Sequence, residues 1–230
     1  GRAFDLVLME LARLSGYALL PALVLRGLAG TTLDLRSAIA IILTFLINTA
    51  LLSLLAIILG HLFKFSSDEK KSLIATTTFA NVGNMGLPFV LFSLGEAGLE
   101  RAIVYLVGSS LLIASVFPIV LKGVGIRAGI RYTLRLPVFW AAMAGFALQS
   151  WGGDLPESVD RGITLLSGGA IPIALLTLGI QRSRTQFIFG RYEWFGAGLR
   201  LLVSPALAYT VARLVGLNGL DLQVVVLQAA

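Results

Sequence analysis

Polar and apolar positions along this chain fall into blocks rather than into the alternation of a surface helix or strand. Seven apolar runs, residues 14–30, 38–59, 73–94, 102–121, 136–151, 162–180 and 194–215, are separated by short polar connections, and an eighth starts near residue 220. About 20 apolar residues carry a helix across the hydrocarbon core of a bilayer. The pattern therefore predicts an all-α membrane protein with about seven spans and the start of an eighth. The connections reach at most about 15 residues, an ordinary loop length, so residues 1–230 read as one transmembrane domain.

Charge tests this count independently, because Lys and Arg gather in cytoplasmic connections. Successive connections hold one basic residue (Arg36), three (Lys64, Lys70, Lys71), one (Arg101), four (Lys122, Arg127, Arg131, Arg135), one (Arg161), three (Arg182, Arg184, Arg191) and one (Arg213). The alternation is unbroken. It runs the first span outward from the cytoplasm, places the connection 122–135 inside, and turns Asp154-Leu155-Pro156-Glu157 outward. This predicts a multi-pass protein of the cell membrane, inner or plasma, with the lipid bilayer as its main partner.

Composition narrows the chemistry. The chain is 57% hydrophobic and 13% charged, where a soluble domain carries about 25% charged residues. Its net charge of +6 comes from basic residues that punctuate apolar runs, not from a basic face, which argues against a nucleic-acid partner. Cysteine is absent and His61 stands alone, so disulfides, thiol chemistry and a His/Cys metal site have no ligands. No metal or cofactor is expected, and chemistry must rest on oxygens, amides and backbone. Gly1 opens the chain and Ala230 closes it within an apolar run; we read the sequence as a fragment of a longer protein.

The third run contains Asn81-Val82-Gly83-Asn84-Met85-Gly86-Leu87-Pro88. Glycines weaken a helix, an interior proline costs about 3 kcal/mol, and carboxamides need partners that lipid cannot supply. Irregular backbone at this depth is tolerated where it is buried in protein or faces a water-filled cavity, and secondary transporters bind substrate at such breaks. The expected geometry stops the helix near Gly83 and restarts it at Leu87 or Pro88, with Pro88 in a first turn where its missing N–H is harmless. The exposed N–H groups and helix dipole would favour an anion. Asn81, Gly83, Asn84, Gly86 and Pro88 are thus candidate substrate-binding residues; the competing reading is a kinked helix whose asparagines bond to neighbouring helices.

A weak internal echo supports the same class. Ala18-Leu19-Leu20-Pro21-Ala22-Leu23-Val24-Leu25 resembles Gly169-Ala170-Ile171-Pro172-Ile173-Ala174-Leu175-Leu176, and the two lie five crossings apart, hence in opposite orientations. Inverted repeats underlie many secondary transporters. The first repeat would cover residues 1–122 and the second 136–230, and Val224 to Ala230 would align with Ile74 to Ala80, just short of a second break. Gly169, Pro172 and Gln228 join the candidate site on this basis. Close helix packing is the alternative for Gly169 and Pro172, and Pro21 shares it. Asn48 is expected to make an interhelical hydrogen bond, and Arg200 and Arg26 to snorkel toward the interface. No Asp or Glu falls mid-span, which argues against a buried proton relay. Coupling to Na+ or H+ stays open, as does pairing into a homodimer.

The segment Phe79 to Pro88, together with Tyr17 to Leu23 and Gly168 to Gly179, resembles the auxin efflux carrier family, which includes plant auxin carriers and bacterial carriers, some assigned to malonate or malate. The resemblance implies ten helices in two inverted five-helix repeats, similar to bile acid sodium symporters, with the fourth and ninth helices broken and crossing at the substrate site. On that template the chain covers helices two to eight and the start of the ninth, and Asn81 and Pro88 match the crossover asparagine and proline of the fourth. The short basic connection 122–135 looks bacterial, since plant members carry a long loop there. The resulting expectation is a non-enzymatic secondary carrier of a small organic anion, a carboxylate such as malonate, malate or an auxin-like acid, working by alternating access. Its rivals are a non-transporting receptor or scaffold with the same fold, and an intramembrane hydrolase. The hydrolase lacks a constellation: Ser109 and Ser110 have no G-x-S-x-G setting and His61 lies at a cytoplasmic boundary.

Overall fold

A computed structural model describes residues 2–122, 126–152, 155–183 and 190–230. Among them the regular structure is entirely helical: α1 (Arg2–Leu14), α2 (Leu20–Ala29), α3 (Leu35–Leu62), α4 (Ser67–Thr78), α5 (Leu87–Lys122), α6 (Ile126–Thr133), α7 (Pro137–Trp151), α8 (Glu157–Arg182), α9 (Arg191–Gly198), α10 (Ser204–Val215) and α11 (Gly219–Ala229). Five helical stretches are long and apolar enough to cross a bilayer: Leu6–Ala29, Leu35–Leu62, Ser67–Ser115, Glu157–Arg182 and Glu193–Val215. The 49 residues of Ser67–Ser115 amount to more than twice the ~20 that one crossing needs. With α7 and α11, the helices account for every apolar run in the hydropathy pattern. Asp154 of the turn expected to face outward and Arg184 of the sixth connection lie outside the described residues, as does part of the connection 122–135.

Local sequence explains where the helices begin and end. Asp34 caps α3 by accepting from the Ser37 amide at 3.1 Å, and Ser37 holds the Asp34 carboxyl below its ordinary pKa. A capping box opens α4: the Ser66 amide donates to Glu69 Oε2 at 2.7 Å and the Glu69 amide to Ser66 Oγ at 3.3 Å. Pro137 sits in the first turn of α7, and Gly152 ends it in the left-handed conformation.

Three π turns, Ser15–Leu19, Val82–Gly86 and Leu199–Val203, join neighbouring helices. Each ends two residues before a proline, Pro21, Pro88 or Pro205. A proline ring collides with the carbonyl four residues back. Here those carbonyls belong to Tyr17, Asn84 and Leu201, all inside π turns, where the wider winding moves them aside.

Gly95 divides α5. Its φ of 70° and ψ of −167° lie in territory that is essentially glycine's own, and they separate the end of the third crossing from the fourth. A Cβ at Gly95 would meet open space, so Gly95→Ala should cost only backbone strain, on the order of 1–3 kcal/mol. Thermal unfolding of the purified variant measures this; an unchanged midpoint would mean that the turn relaxes without penalty.

The chain divides into two compact units. One comprises Gly1–Thr32, Gly83–Phe89 and Leu106–Thr185. In it α2 packs on α7 and α8, with Val24 and Leu28 fully buried. Gly145 of α7 lets the helices meet: a Cβ there would lie 2.8 Å from Leu28 Cβ and 3.0 Å from the Leu25 carbonyl oxygen. Gln149 Nε2 donates to the Thr31 carbonyl at 3.2 Å, closing the same pair.

The other unit comprises Leu33–Val82, Val90–Tyr105 and Gln186–Ala230. There α3 packs on α4 and α10, and α10 on α11. Leu52, Ala56, Phe65, Leu73 and Leu199 form its core, flanked by the Phe63 and Phe195 rings 4.5 Å apart. Arg101 of α5 and Asp221 of α11 form an ion pair that is less than one-fifth exposed on either side. Ser53 Oγ lies 2.9 Å from Thr78 Oγ1, and Ser204 Oγ donates to the Ala229 carbonyl at 2.7 Å.

Candidate functional site

The third span is interrupted, but earlier than its glycines and proline predict. Helix α4 ends at Thr78, Phe79 leaves it with φ −106° and ψ 91°, and Phe79, Ala80 and Asn81 have no regular structure. Winding resumes at Val82 in the π turn Val82–Gly86 and continues into α5. The expected stop near Gly83 is thereby corrected. Pro88 does lie in the first α turn, yet the preceding π turn absorbs it without a chain break.

The break falls upstream because of Thr76, Thr77 and Thr78. Their β-branched side chains lower helix propensity, and their hydroxyls compete for main-chain groups. Thr76 Oγ1 donates to the Ser72 carbonyl at 2.8 Å and Thr77 Oγ1 to the Leu73 carbonyl at 2.7 Å, while Thr78 turns to Ser53. This threonine run was the overlooked sequence signal.

Asn81 is exposed in the irregular segment, and Asn84, Gly83 and Gly86 occupy the π turn, each partly exposed. A Cβ on Gly83 would touch only Leu106 Cδ1 at 3.6 Å. Gly169 and Pro172 lie on α8, which continues through the proline. Gly169 faces Leu19, 3.5 Å from an added Cβ, while Pro172 is on an exposed face. Arg26 Nη1 reaches Ser167 Oγ at 3.4 Å between α2 and α8.

Gln228 and Asn48 are buried, 3% and 2% exposed. Asn48 Nδ2 donates to Ser204 Oγ at 3.1 Å, an interhelical bond as expected. Its Oδ1 has no hydrogen-bond partner among the described residues, nor has either polar atom of the Gln228 carboxamide. Burying such a group unpaired costs about 1–3 kcal/mol, so Gln228 retains unused hydrogen-bonding capacity in the last turn of α11.

Arg200 departs from its predicted snorkelling. It lies within the π turn Leu199–Val203, nine residues past Arg191 and so roughly 13 Å along a helix rising about 1.5 Å per residue. Its guanidinium turns inward to main chain: Nη1 donates to the Thr77 carbonyl at 3.0 Å and Nε to the Ala230 carbonyl at 3.2 Å. The Thr77 carbonyl belongs to the last turn of α4. A charge inside a membrane helix is a functional candidate by default, and that rule applied to Arg200 would have found it. Among the described residues no cluster of His, Asp or Glu is arranged to hold a metal ion.

These features define a multi-pass helical membrane protein with an interrupted span. Residues 10–125 and 126–230 match the model of the membrane transport protein family, and the chain belongs to this family, which takes in the auxin efflux carriers. It is 29% identical over 191 residues to an uncharacterized transporter of Methanocaldococcus jannaschii, covering 77% of this chain and 60% of that protein. It is 31% identical over 172 residues to an uncharacterized transporter of Methanothermobacter thermautotrophicus, covering 71% and 55%. Over 107 residues it is 27% identical to auxin efflux carrier component 1 of Arabidopsis thaliana, covering 44% and 17%. The chain thus spans little more than half the length of the archaeal relatives.

Proposed function

We propose that the full-length protein is a secondary carrier of a small organic anion, working by alternating access in the cell membrane. The observation that carries this reading is the loss of helix at Phe79, Ala80 and Asn81 within an otherwise apolar crossing. The helix that starts at Val82 leaves its first N–H groups without partners inside the helix, and its dipole makes that end positive. A carboxylate suits those donors and the Asn81 carboxamide, which can also bind a hydroxyl. Gln228 supplies a second carboxamide with unused capacity. The carriers named for auxin among the relatives support an organic acid as cargo.

The test is flux. Full-length protein in proteoliposomes, offered radiolabelled malonate, malate and indole-3-acetate, should accumulate or exchange at least one acid above protein-free vesicles. Saturable binding of an acid with no flux under any gradient would instead establish a receptor with this fold.

A further inference from the structure

The corner between α6 and α7 leads from the protein to its lipid. We infer that Arg127, Arg131 and Arg135 bind the phosphate headgroups of anionic phospholipids in the cytoplasmic leaflet. This surface belongs to the unit built on α2, α7 and α8, and its lipid would be bound whether or not the protein is a carrier.

Composition sets the connection apart. Between Glu100 and Asp154 the chain has no acidic residue, yet it holds Lys122 and these three arginines. A connection needs only a surplus of basic residues to stay in the cytoplasm. The connection around Lys64, Lys70 and Lys71 shows that ordinary case: Asp68 and Glu69 stand among its lysines, and Asp68 lies 3.7 Å from Lys71. At α6 nothing offsets the charge, because none of the three arginines pairs with a carboxylate among the described residues.

Geometry adds two features that orientation alone does not require. Arg127 and Arg131 are one turn apart on α6 and so share a side of the helix, Arg135 follows in the turn to α7, and all three are exposed. Like charges at that spacing repel each other. A phosphate between them replaces the repulsion with charge-assisted hydrogen bonds, for which the planar guanidinium fork is well matched. Apolar and aromatic side chains also stand bare beside the arginines: Ile130 is 54% exposed and Trp140 60%, with Tyr132 and Leu134 also exposed. The Trp140 indole N–H donates to the Leu134 carbonyl at 2.9 Å, which fixes the corner and leaves the ring outward. Trp and Tyr concentrate at the level of lipid headgroups. A short basic helix with exposed apolar side chains is the pattern of an interfacial segment, and basic residues at that depth attract anionic lipid. A soluble polyanion would account for the arginines but not for bare Ile130, Leu134 and Trp140.

Fluorescence quenching tests this in the full-length protein. With every tryptophan except Trp140 replaced by phenylalanine, protein in phosphatidylcholine vesicles reports on the lipid at this corner. Brominated phosphatidylglycerol should quench Trp140 at a mole fraction about tenfold or more below that needed with brominated phosphatidylcholine, since each basic side chain near an anionic surface contributes about fivefold. Replacing Arg127, Arg131 and Arg135 together with glutamine should make the two lipids equal, while Lys64→Gln with Lys71→Gln should leave the preference intact. Equal quenching by the two lipids before the arginines are replaced would overturn the inference, as would an unchanged preference after. Loss of the preference in millimolar inorganic phosphate would overturn it too, by assigning the arginines to a soluble anion. Should the triple variant fail to fold, the comparison of the two lipids and the phosphate competition still decide.

Discussion

Asn81→Ala is expected to reduce flux through the full-length protein about tenfold or more, corresponding to loss of a hydrogen bond to a charged ligand, worth roughly 1.5–3 kcal/mol. Its abundance in the membrane should not change. The side chain is exposed, and the backbone around it is already irregular, so its removal vacates no core. A structural asparagine would behave oppositely, with less protein in the membrane and normal flux per molecule. Initial rates normalised to protein quantified in the vesicles separate the two, and an unaltered normalised rate would remove Asn81 from the site.

Gly145→Leu is the substitution expected to damage the fold most. Even the single carbon of Gly145→Ala would fall 2.8 Å from Leu28 Cβ and 3.0 Å from the Leu25 carbonyl, atoms that cannot swing aside because they belong to, or adjoin, the α2 backbone. Overpacking of this kind costs about 1–3 kcal/mol, and leucine adds three more carbons to the same space. In lipid, helices associate through such close contact rather than through a hydrophobic drive, so the α2–α7 pair has little in reserve. Gly168→Ala supplies the control: nothing lies within 4 Å of its Cβ position, and alanine for glycine inside a helix gains roughly 0.5–1 kcal/mol. Melting temperatures of the two alanine variants should therefore move in opposite directions. A Gly145→Leu protein as stable as wild type would show that α2 and α7 pack otherwise.

The legible and illegible parts of this protein differ in range. An interruption was foreseeable from Asn81 to Pro88, because each of those residues carries its conformational preference with it. Its location was not, since Pro88 could be accommodated by widening the turn before it. The helix instead ended where the Thr77 hydroxyl bonded back to Leu73 and Thr78 met Ser53. Arg200 was misread for a similar reason. Its depth can be counted along the helix, but its carbonyl acceptors lie 123 and 30 residues away in sequence.

Sequence alone determined the helical, multi-pass membrane character and the existence of a break, because bilayer thickness and proline chemistry act on short stretches of chain. Tertiary structure decided the point of unwinding and the partner of each buried polar group. Those depend on which oxygen a hydroxyl, carboxamide or guanidinium meets once distant helices are packed, and in a medium without water to fill unmet bonds that meeting determines the backbone's course.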